Sequence, residues 1–245
     1  MKNLTPLLIF LSTFTFAQDV IQTKDGDLTI TPILHGTLVL EYQEVTIYVD
    51  PYGGAEVFED MDTPDIVLIT DIHGDHYNQK TLDALDVSKA TFVMPQAVAD
   101  KMAENWPPSV VVIGNGESKK VKNIQIDALP MYNLPEDDDS RHIKGRGNGY
   151  VLTFANKRIY ISGDTEDIPE MRALKNIDVA FVCMNMPYTM TVEQAADAVA
   201  EFQPKIVYPY HYRGRPEMSD TEQFKKLVNE ASPKLEVRLR NWYPE

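Results

Sequence analysis

The stretch Asp71-Ile72-His73-Gly74-Asp75-His76 carries most of the chemistry in this sequence, and it directly follows the apolar run Ile66–Thr70. Alternate residues of an extended chain face the same side, so the first, third and fifth residues of the stretch share one face. The glycine at its fourth position permits a tight bend that turns the last histidine toward the same point. Imidazole and carboxylate groups together suit Zn²⁺, iron or Mn²⁺. The hexapeptide therefore predicts a metal site at the end of a strand.

An accidental origin of this pattern is improbable. From the chain's own His and Asp frequencies, it would arise by chance in roughly one chain of this length in a thousand. The alternative interpretation is a polar turn whose histidines make structural hydrogen bonds. That alternative leaves unexplained why two of only five histidines crowd into one turn.

Three more candidate ligands lie beside other predicted strands. His142 lies in a Gly-rich loop before a strand, Asp164 follows the run Arg158–Ser162, and His211 follows the run Ile206–Tyr208. Loops at strand ends commonly converge on functional sites. Together with the hexapeptide, these residues supply enough ligands for two metal ions.

The rest of the chain alternates predicted strands with predicted helices. The run Ile33–Leu40 has the composition of a single strand. Thr191 followed by Gln194, and Ser219 followed by Glu222, predict capping boxes at the starts of two helices. This alternation indicates a layered α/β protein with one mixed sheet or two sheets. No internal sequence repeat is visible.

The order of the motifs resembles that of the metallo-β-lactamase superfamily, from about Ile33 to Gly214. The residues in and around these motifs are most similar to those of the branch of L-ascorbate-6-phosphate lactonase-like hydrolases. The segments that carry this likeness are Tyr48-Val49-Asp50-Pro51-Tyr52, Ile69-Thr70-Asp71-Ile72-His73-Gly74-Asp75-His76, Gly149-Tyr150-Val151, Tyr160-Ile161-Ser162-Gly163-Asp164-Thr165-Glu166 and Tyr208-Pro209-Tyr210-His211. The resemblance implies an αββα sandwich of two mixed sheets flanked by helices, with a dinuclear metal site at one edge of the sheets.

The resemblance also implies a set of metal ligands. Residue 71, His73 and His142 would hold the first ion, Asp75, His76 and His211 would hold the second, and Asp164 would bridge the two. The expected cofactors are two divalent metal ions, either zinc or manganese, with iron as a further candidate.

Asp71 departs from the superfamily pattern, in which this position is usually His. Asp71 could be a true ligand, which would shift the metal preference of the first site toward Mn²⁺ or iron. It could instead orient His73 or His142 through a hydrogen bond. In a third interpretation the first site is weak and the enzyme is mononuclear.

The implied chemistry is hydrolysis by a metal-bridging hydroxide, because two divalent cations can lower the pKa of a shared water toward about 7. The expected substrate is a lactone, an ester or a phosphodiester. Asp75 and Asp164 are the predicted catalytic residues, with Asp75 orienting the water or moving its proton. Two alternatives stay open: an iron-dependent oxidoreductase on the same scaffold, and a non-catalytic binding protein with a degenerate first metal site.

Basic side chains beside the predicted ligands give a clue to the substrate. Arg141, Lys144 and Arg146 surround His142, and Arg213 and Arg215 follow His211. If these loops border the cleft, they would favour a small molecule that carries phosphate or carboxylate. The alternative is an ordinary solvated loop surface. His35 is expected to be a structural histidine rather than a metal ligand.

Composition excludes several other function classes. The 245 residues carry a formal net charge of −14, which argues against nucleic acid or an anionic membrane as the main partner. The single Cys excludes an intramolecular disulfide and any Cys-rich metal site. The sequence leaves the oligomeric state open.

The N-terminal segment, residues 1–17, has the pattern of a secretory signal peptide. A basic residue at position 2 precedes an apolar stretch that is too short to span a membrane, and the small residue Ala17 precedes Gln18. The predicted mature protein is therefore an exported hydrolase domain, residues 18–245, that is periplasmic or secreted and has no stable membrane anchor. A buried N-terminal strand or helix is the alternative interpretation.

Overall fold

The computed structural model describes residues 18–102 and 109–244. The predicted signal peptide, residues 1–17, lies outside the described residues. Among the residues described, no helix combines the length and the apolarity that a membrane crossing needs.

Seven strands form the first sheet and lie side by side in chain order. They are β1 (Asp19–Thr23), β2 (Gly26–Leu34), β3 (Thr37–Tyr42), β4 (Val45–Val49), β5 (Ile66–Leu68), β6 (Thr91–Met94) and β7 (Ser109–Val112). The pairings from β1 to β4 are antiparallel, and those from β4 to β7 are parallel.

The second sheet repeats this topology. Its strands are β8 (Ser118–Val121), β9 (Ile124–Met131), β10 (Gly147–Phe154), β11 (Lys157–Ile161), β12 (Val179–Cys183), β13 (Ile206–Tyr210) and β14 (Glu236–Val237). Again three antiparallel pairings are followed by three parallel ones. The two mixed sheets confirm the expected sandwich, and they show a structural repeat that the sequence hides.

Helices cover the sheets on their outer sides. They are a short 3-10 helix (Glu56–Phe58) and α1 (Gln79–Ala84), α2 (Gln96–Lys101), α3 (Pro169–Arg172), α4 (Val192–Phe202) and α5 (Thr221–Ala231). Leu82 of α1 and Val98 of α2 pack against Val67 and Phe92 of the first sheet. Phe202 of α4 makes an edge-to-face contact with a tyrosine of β11. The largest apolar cluster joins buried residues of both sheets and continues to buried residues of α3, α4 and α5.

The predicted single strand Ile33–Leu40 is wrong, because the chain reverses in its middle. His35 has a φ of 59°, a left-handed conformation that an extended strand does not allow. Residues 35 and 36 therefore form the turn that joins β2 to β3. This turn brings His35 to the same edge of the sheets as the predicted metal ligands.

One of the two predicted capping boxes is confirmed. Thr191 accepts a hydrogen bond from the backbone N–H of Gln194, whose side chain in turn accepts one from the backbone of Thr191. The box predicted at Ser219 is wrong by one residue, because Asp220 caps α5 by accepting from the backbone of Gln223. Asp accepts this bond as readily as Ser does, so residue type alone does not locate the helix start.

Candidate metal centre

The candidate site lies at the edge where parallel strands of both sheets end. Asp50 directly follows β4, and the Asp71–His76 stretch begins three residues after β5. Asp164 lies just beyond β11, and His211 directly follows β13. The carboxyl ends of parallel strands share one edge of a sheet, so these loops meet there.

Three residues of this edge have left-handed backbone conformations. The φ angles are 59° at His35, 45° at Asp50 and 47° at His211. Such conformations cost about 1–3 kcal/mol each for residues other than glycine, and they tend to cluster at functional sites. The backbone N–H of His211 donates to the carbonyl of His35 at 3.1 Å, which ties the two turns together.

One cluster of possible metal ligands consists of His76, Asp164 and His211. Asp164 Oδ2 lies 3.2 Å from His76 Nε2, and Asp164 Oδ1 lies 3.3 Å from His211 Nε2. The two histidine Nε2 atoms are 3.2 Å apart. These distances show that the three donor atoms converge on one point. All three side chains are also buried.

The second cluster consists of Asp71, His73 and His142, and a further group of His35, Asp75 and His211 shares His211 with the first cluster. Asp71 Oδ2 lies 2.5 Å from His73 Nδ1 and 4.0 Å from His142 Nε2. Asp164 Oδ2 also lies 3.2 Å from His142 Nε2. The carboxylate of Asp164 therefore contacts histidines of both clusters.

Buried atoms without partners show that a cation fits here. Among the described residues, His142 Nε2, Asp164 Oδ1 and His73 Nδ1 are buried and form no hydrogen bond, although carboxylate or imidazole atoms lie close by. An unpaired buried polar atom costs about 1–3 kcal/mol. A metal ion bound between these atoms would satisfy them, and the mixture of imidazole and carboxylate suits a divalent transition metal.

The electrostatics of His211 and Asp164 agree with their use as ligands, whereas His76 is protonated in the absence of a cation and would release that proton when one binds. Burial lowers the pKa of His211 to about 3, so its imidazole is neutral at neutral pH, the form that binds metals. Burial opposes ionisation of Asp164, but the adjacent imidazoles of His211 and His76 hold its pKa well below the usual range. Burial also opposes charge on His76, but Asp164 and Asp50 raise its pKa well above the ordinary value.

Asp50 is a site residue that the sequence-based ligand set leaves out. Its Oδ2 lies 2.8 Å from His76 Nδ1 and accepts from the Thr70 hydroxyl at 2.6 Å, while its Oδ1 accepts from the Thr70 backbone N–H at 2.8 Å. Asp50 follows the fourth strand of the first sheet, as Asp164 follows the fourth strand of the second. The sequence feature that could have identified Asp50 is its position at the end of an apolar run, within a segment that resembles the family.

His142 is oriented by its own set of partners. Its Nδ1 lies 3.2 Å from the carbonyl oxygen of Tyr188, and its backbone N–H donates to Asn133 Oδ1 at 2.8 Å. The Asn133 amide also donates to the same Tyr188 carbonyl at 2.8 Å. These contacts turn the Nε2 atom of His142 toward Asp164.

A cavity of about 440 Å³ opens over the site. Its lining residues are His35, Asp75, Arg141, Asp164, Asn185, Tyr188, Arg213, Gly214 and Arg215. The structure thus brings together Asp75, Asp164 and two of the predicted substrate residues, Arg141 and Arg213.

The other two predicted substrate cations have different partners. Lys144 lies 2.9 Å from Glu136 and 3.2 Å from Glu170, and it does not line the cavity. Arg146 lies 3.3 Å from Asp71 and donates to the carbonyl of Arg141 at 2.6 Å. This placement gives no support to a direct substrate role for either side chain.

Comparisons with known proteins agree with this geometry. A family model described as a β-lactamase superfamily domain matches residues 29–211. A metal-dependent hydrolase of Pyrococcus abyssi is 30% identical over 196 residues, which cover 76% of this chain and 86% of that one. The crystal structure of a provisionally assigned metal-dependent hydrolase from Parabacteroides distasonis is 40% identical, with a TM-score of 0.79, over 92% of this chain and 99% of that one.

A third match concerns the fold alone. Igni18, a metallo hydrolase from Ignicoccus hospitalis, is 24% identical, with a TM-score of 0.75, over 89% of this chain and 96% of that one. The family match, the shared fold and the convergent ligand clusters lead to the same assignment. The chain belongs to the metallo-β-lactamase superfamily, among its metal-dependent hydrolases.

Proposed function

We propose that this metal-dependent hydrolase cleaves a lactone, ester or phosphodiester bond in a small molecule that carries a phosphate or carboxylate group. The observation that carries the proposal is the charge around the cavity. Arg141, Arg213 and Arg215 line it together with Asp75 and Asp164. Among the described residues, none of these three guanidinium groups forms an ion pair, whereas Arg146 and Lys144 do.

These arginines are suited to an anion for a physical reason. The chain has a net charge of −14, so three unpaired cations at one cavity are a local exception. Arg141 lies 4.4 Å from the ring centre of Tyr188, and Arg213 lies 5.7 Å from that of Tyr243, contacts that favour defined positions for both guanidinium groups. A guanidinium group so held can form two parallel hydrogen bonds to a phosphate or carboxylate.

For the metal centre, we propose that two divalent cations bind on either side of Asp164. His76, His211 and Asp75 would hold one cation, His73, His142 and Asp71 would hold the other, and Asp164 would contact both. Bound there, such cations would polarise the substrate oxygen and lower the pKa of a water molecule. Asp75 faces the cavity with 30% of its side chain exposed, so it can accept a hydrogen bond from the attacking water.

Asp71 is proposed as a ligand of the cation near His73. Its carboxylate is fully buried, and it approaches His73 Nδ1 to 2.5 Å although that nitrogen forms no hydrogen bond. Burial opposes ionisation of Asp71, but His73, His76 and Arg146 hold its pKa below the ordinary value.

Zinc or manganese is the proposed metal, and membership of the L-ascorbate-6-phosphate lactonase branch stays a prediction.

We also propose that residues 1–17 are removed and that the mature protein is exported. The first strand begins at Asp19, two residues after the predicted cleavage site, so cleavage would leave β1 intact. N-terminal sequencing of protein from the native host tests this: Gln18 at the N-terminus supports export, and Met1 contradicts it.

A paired substrate screen tests the proposed reaction. Metal-free protein is loaded with Zn²⁺, Mn²⁺ or Fe²⁺ and offered lactones, esters and phosphodiesters, each as a neutral compound and as its phosphorylated or carboxylated counterpart. We expect metal-dependent hydrolysis that prefers the anionic member of a pair. Equal rates on both members would contradict the anion proposal. Oxygen uptake with Fe²⁺ and no hydrolysis in any class would contradict the reaction type.

A further inference from the structure

His35 is not a member of the predicted ligand set, yet it contacts two residues that are. The two rings of His35 and His211 have centres 3.7 Å apart, and His35 Nε2 lies 3.0 Å from Asp75 Oδ2. The His35 ring is buried, with 2% of the side chain exposed, whereas Asp75 is the most exposed carboxylate of the site, at 30%. His35 is therefore a fixed group beside a carboxylate that has room to move.

The contact with His35 is the one hydrogen bond that Asp75 makes with another side chain among the described residues. Asp71, Asp164 and Asp50, by contrast, have side chains that are at most 4% exposed, and burial holds them in place. A partly exposed carboxylate that lines an open cavity samples several rotamers unless a partner restrains it. The N–H of His35 supplies that restraint.

On its other side, the His35 ring meets the C-terminal segment. His35 Nδ1 lies 2.6 Å from the hydroxyl of Tyr243, which in turn accepts from the backbone N–H of Arg213 at 2.9 Å. The backbone N–H of His35 donates to the carbonyl of Trp242 at 3.0 Å, and Trp242 is fully buried. The C-terminal segment thus contacts His35 through both its backbone and a side chain.

The donors and acceptors around His35 then determine which of its ring nitrogens carries the proton. The Asp75 carboxylate only accepts, so His35 Nε2 carries the proton of that bond. Among the described residues, His35 Nδ1 is the one acceptor that the Tyr243 hydroxyl contacts, so this nitrogen accepts and carries no proton. Tyr243 has already accepted from Arg213, and its own O–H is free to donate to that Nδ1.

We propose that Tyr243 and His35 are positioning residues for Asp75: Tyr243 selects the Nε2–H tautomer of His35, and His35 holds the Asp75 carboxylate toward the cavity. This inference rests on the proposed role of Asp75 in the reaction. It adds the C-terminal segment to the active site, although Tyr243 lies 208 residues from His35 in the chain.

The direct test is the tautomer of His35 in the full mature chain. Long-range ¹H–¹⁵N spectra of the imidazole groups are recorded for the wild type and for Tyr243→Phe, with His35→Gln used to assign the His35 signals among five histidines. We expect a single Nε2–H tautomer in the wild type and a detectable share of the Nδ1–H tautomer in Tyr243→Phe, in which the contact with Asp75 alone favours Nε2–H. A wild-type Nδ1–H tautomer, or an unchanged tautomer in Tyr243→Phe, would overturn the proposal. This readout needs no substrate, so it is independent of the proposed function.

The functional test compares variants on a substrate found by the screen. Tyr243→Phe should lower kcat about 10-fold and leave KM within about twofold, the size of effect seen when a group that orients a metal ligand is removed. Tyr212→Phe is the matched control, because the Tyr212 hydroxyl also binds the C-terminal segment, at Trp242 N and Arg240 O, without contacting His35. His35→Gln keeps an N–H group and should retain more activity than His35→Ala.

Equal losses in Tyr243→Phe and Tyr212→Phe would contradict the proposal and indicate that the tail acts only through stability. Melting temperatures and zinc affinities of all variants are measured alongside. If His35→Ala fails to fold, Tyr243→Phe and its spectrum still decide the question. Inactivity of the wild type on every substrate would count against the proposed function and leave the tautomer result standing.

Discussion

The carboxylate of Asp50 lies 2.8 Å from Nδ1 of His76, and the Nε2 atom of the same ring lies 3.2 Å from Asp164. His76 is therefore held between two buried carboxylates, one on each ring nitrogen. Carboxylates that bind the remote nitrogen of a ligating histidine fix the tautomer and the orientation of its ring. The arrangement predicts that Asp50 matters to the metal site without being a ligand.

Asp50→Asn should weaken zinc binding by about 10- to 100-fold, the usual effect of losing such a partner. Both oxygens of Asp50 accept hydrogen bonds, so an amide NH₂ would face at least one donor. Competition with a chromophoric chelator measures the affinity, and Asp139→Asn in an exposed loop is the control. An unchanged zinc affinity in Asp50→Asn would contradict this role.

Gly36→Ala should disturb the site while the fold persists. A Cβ atom at Gly36 would lie 2.9 Å from Cδ2 of His211, closer than the ordinary carbon contact of about 3.5–4.0 Å. Because a misplacement of a catalytic group by about 1 Å can lower the reaction rate on the order of 100-fold, a smaller shift of His211 should reduce turnover about 10-fold. Gly114→Ala is the control, since its Cβ would meet nothing closer than 3.8 Å. Wild-type turnover in Gly36→Ala would show that His211 needs no such precise placement.

Asp71→Ala should lower the metal content of the protein by one ion per chain. The remaining ligands of that cluster, His73 and His142, would be left facing Arg146, which lies 3.3 Å from Asp71 in the intact site. Elemental analysis after dialysis gives the metal content, and circular dichroism shows whether the variant folds. A folded variant with unchanged metal content would remove Asp71 from the ligand set.

Arg213→Gln should raise KM for an anionic substrate by about 10- to 100-fold, since a hydrogen bond to a charged group contributes about 1.5–3 kcal/mol. The dependence of KM on ionic strength should weaken in the same variant, because one charge is lost from the cavity. Lys120→Gln on β8 is the control, because Lys120 is exposed and does not line the cavity. An equal KM change for the neutral and anionic members of a substrate pair would argue against charge recognition.

Most of the candidate ligands could be predicted from the sequence, because local spacing determines their grouping. The stretch from Asp71 to His76 forms bends and turns rather than the expected extended chain, and these turns place Asp71 beside His73 and His76 beside Asp164. Asp164 and His211 could be predicted because each follows an apolar strand, and the ends of parallel strands meet.

The partners of these ligands could not be predicted, because they depend on contacts between distant segments. Tyr243 reaches His35 only because the C-terminal segment returns across the edge of the second sheet. Arg146 pairs with Asp71, 75 residues away in the chain, and no sequence pattern separates it from Arg141, which lines the cavity. His35 was expected within a strand, and only its left-handed backbone places it in a turn beside the site.

The most direct test of the account is the number of divalent ions bound by the wild type and by Asp164→Ala. Metal-free protein is titrated with Zn²⁺ in a calorimeter, and the content is checked by elemental analysis after dialysis. Because Asp164 contacts histidines of both clusters, we expect two ions per chain in the wild type and at most one in a folded Asp164→Ala variant. Two tightly bound ions in Asp164→Ala, or fewer than two in the wild type, would contradict a dinuclear centre joined by Asp164.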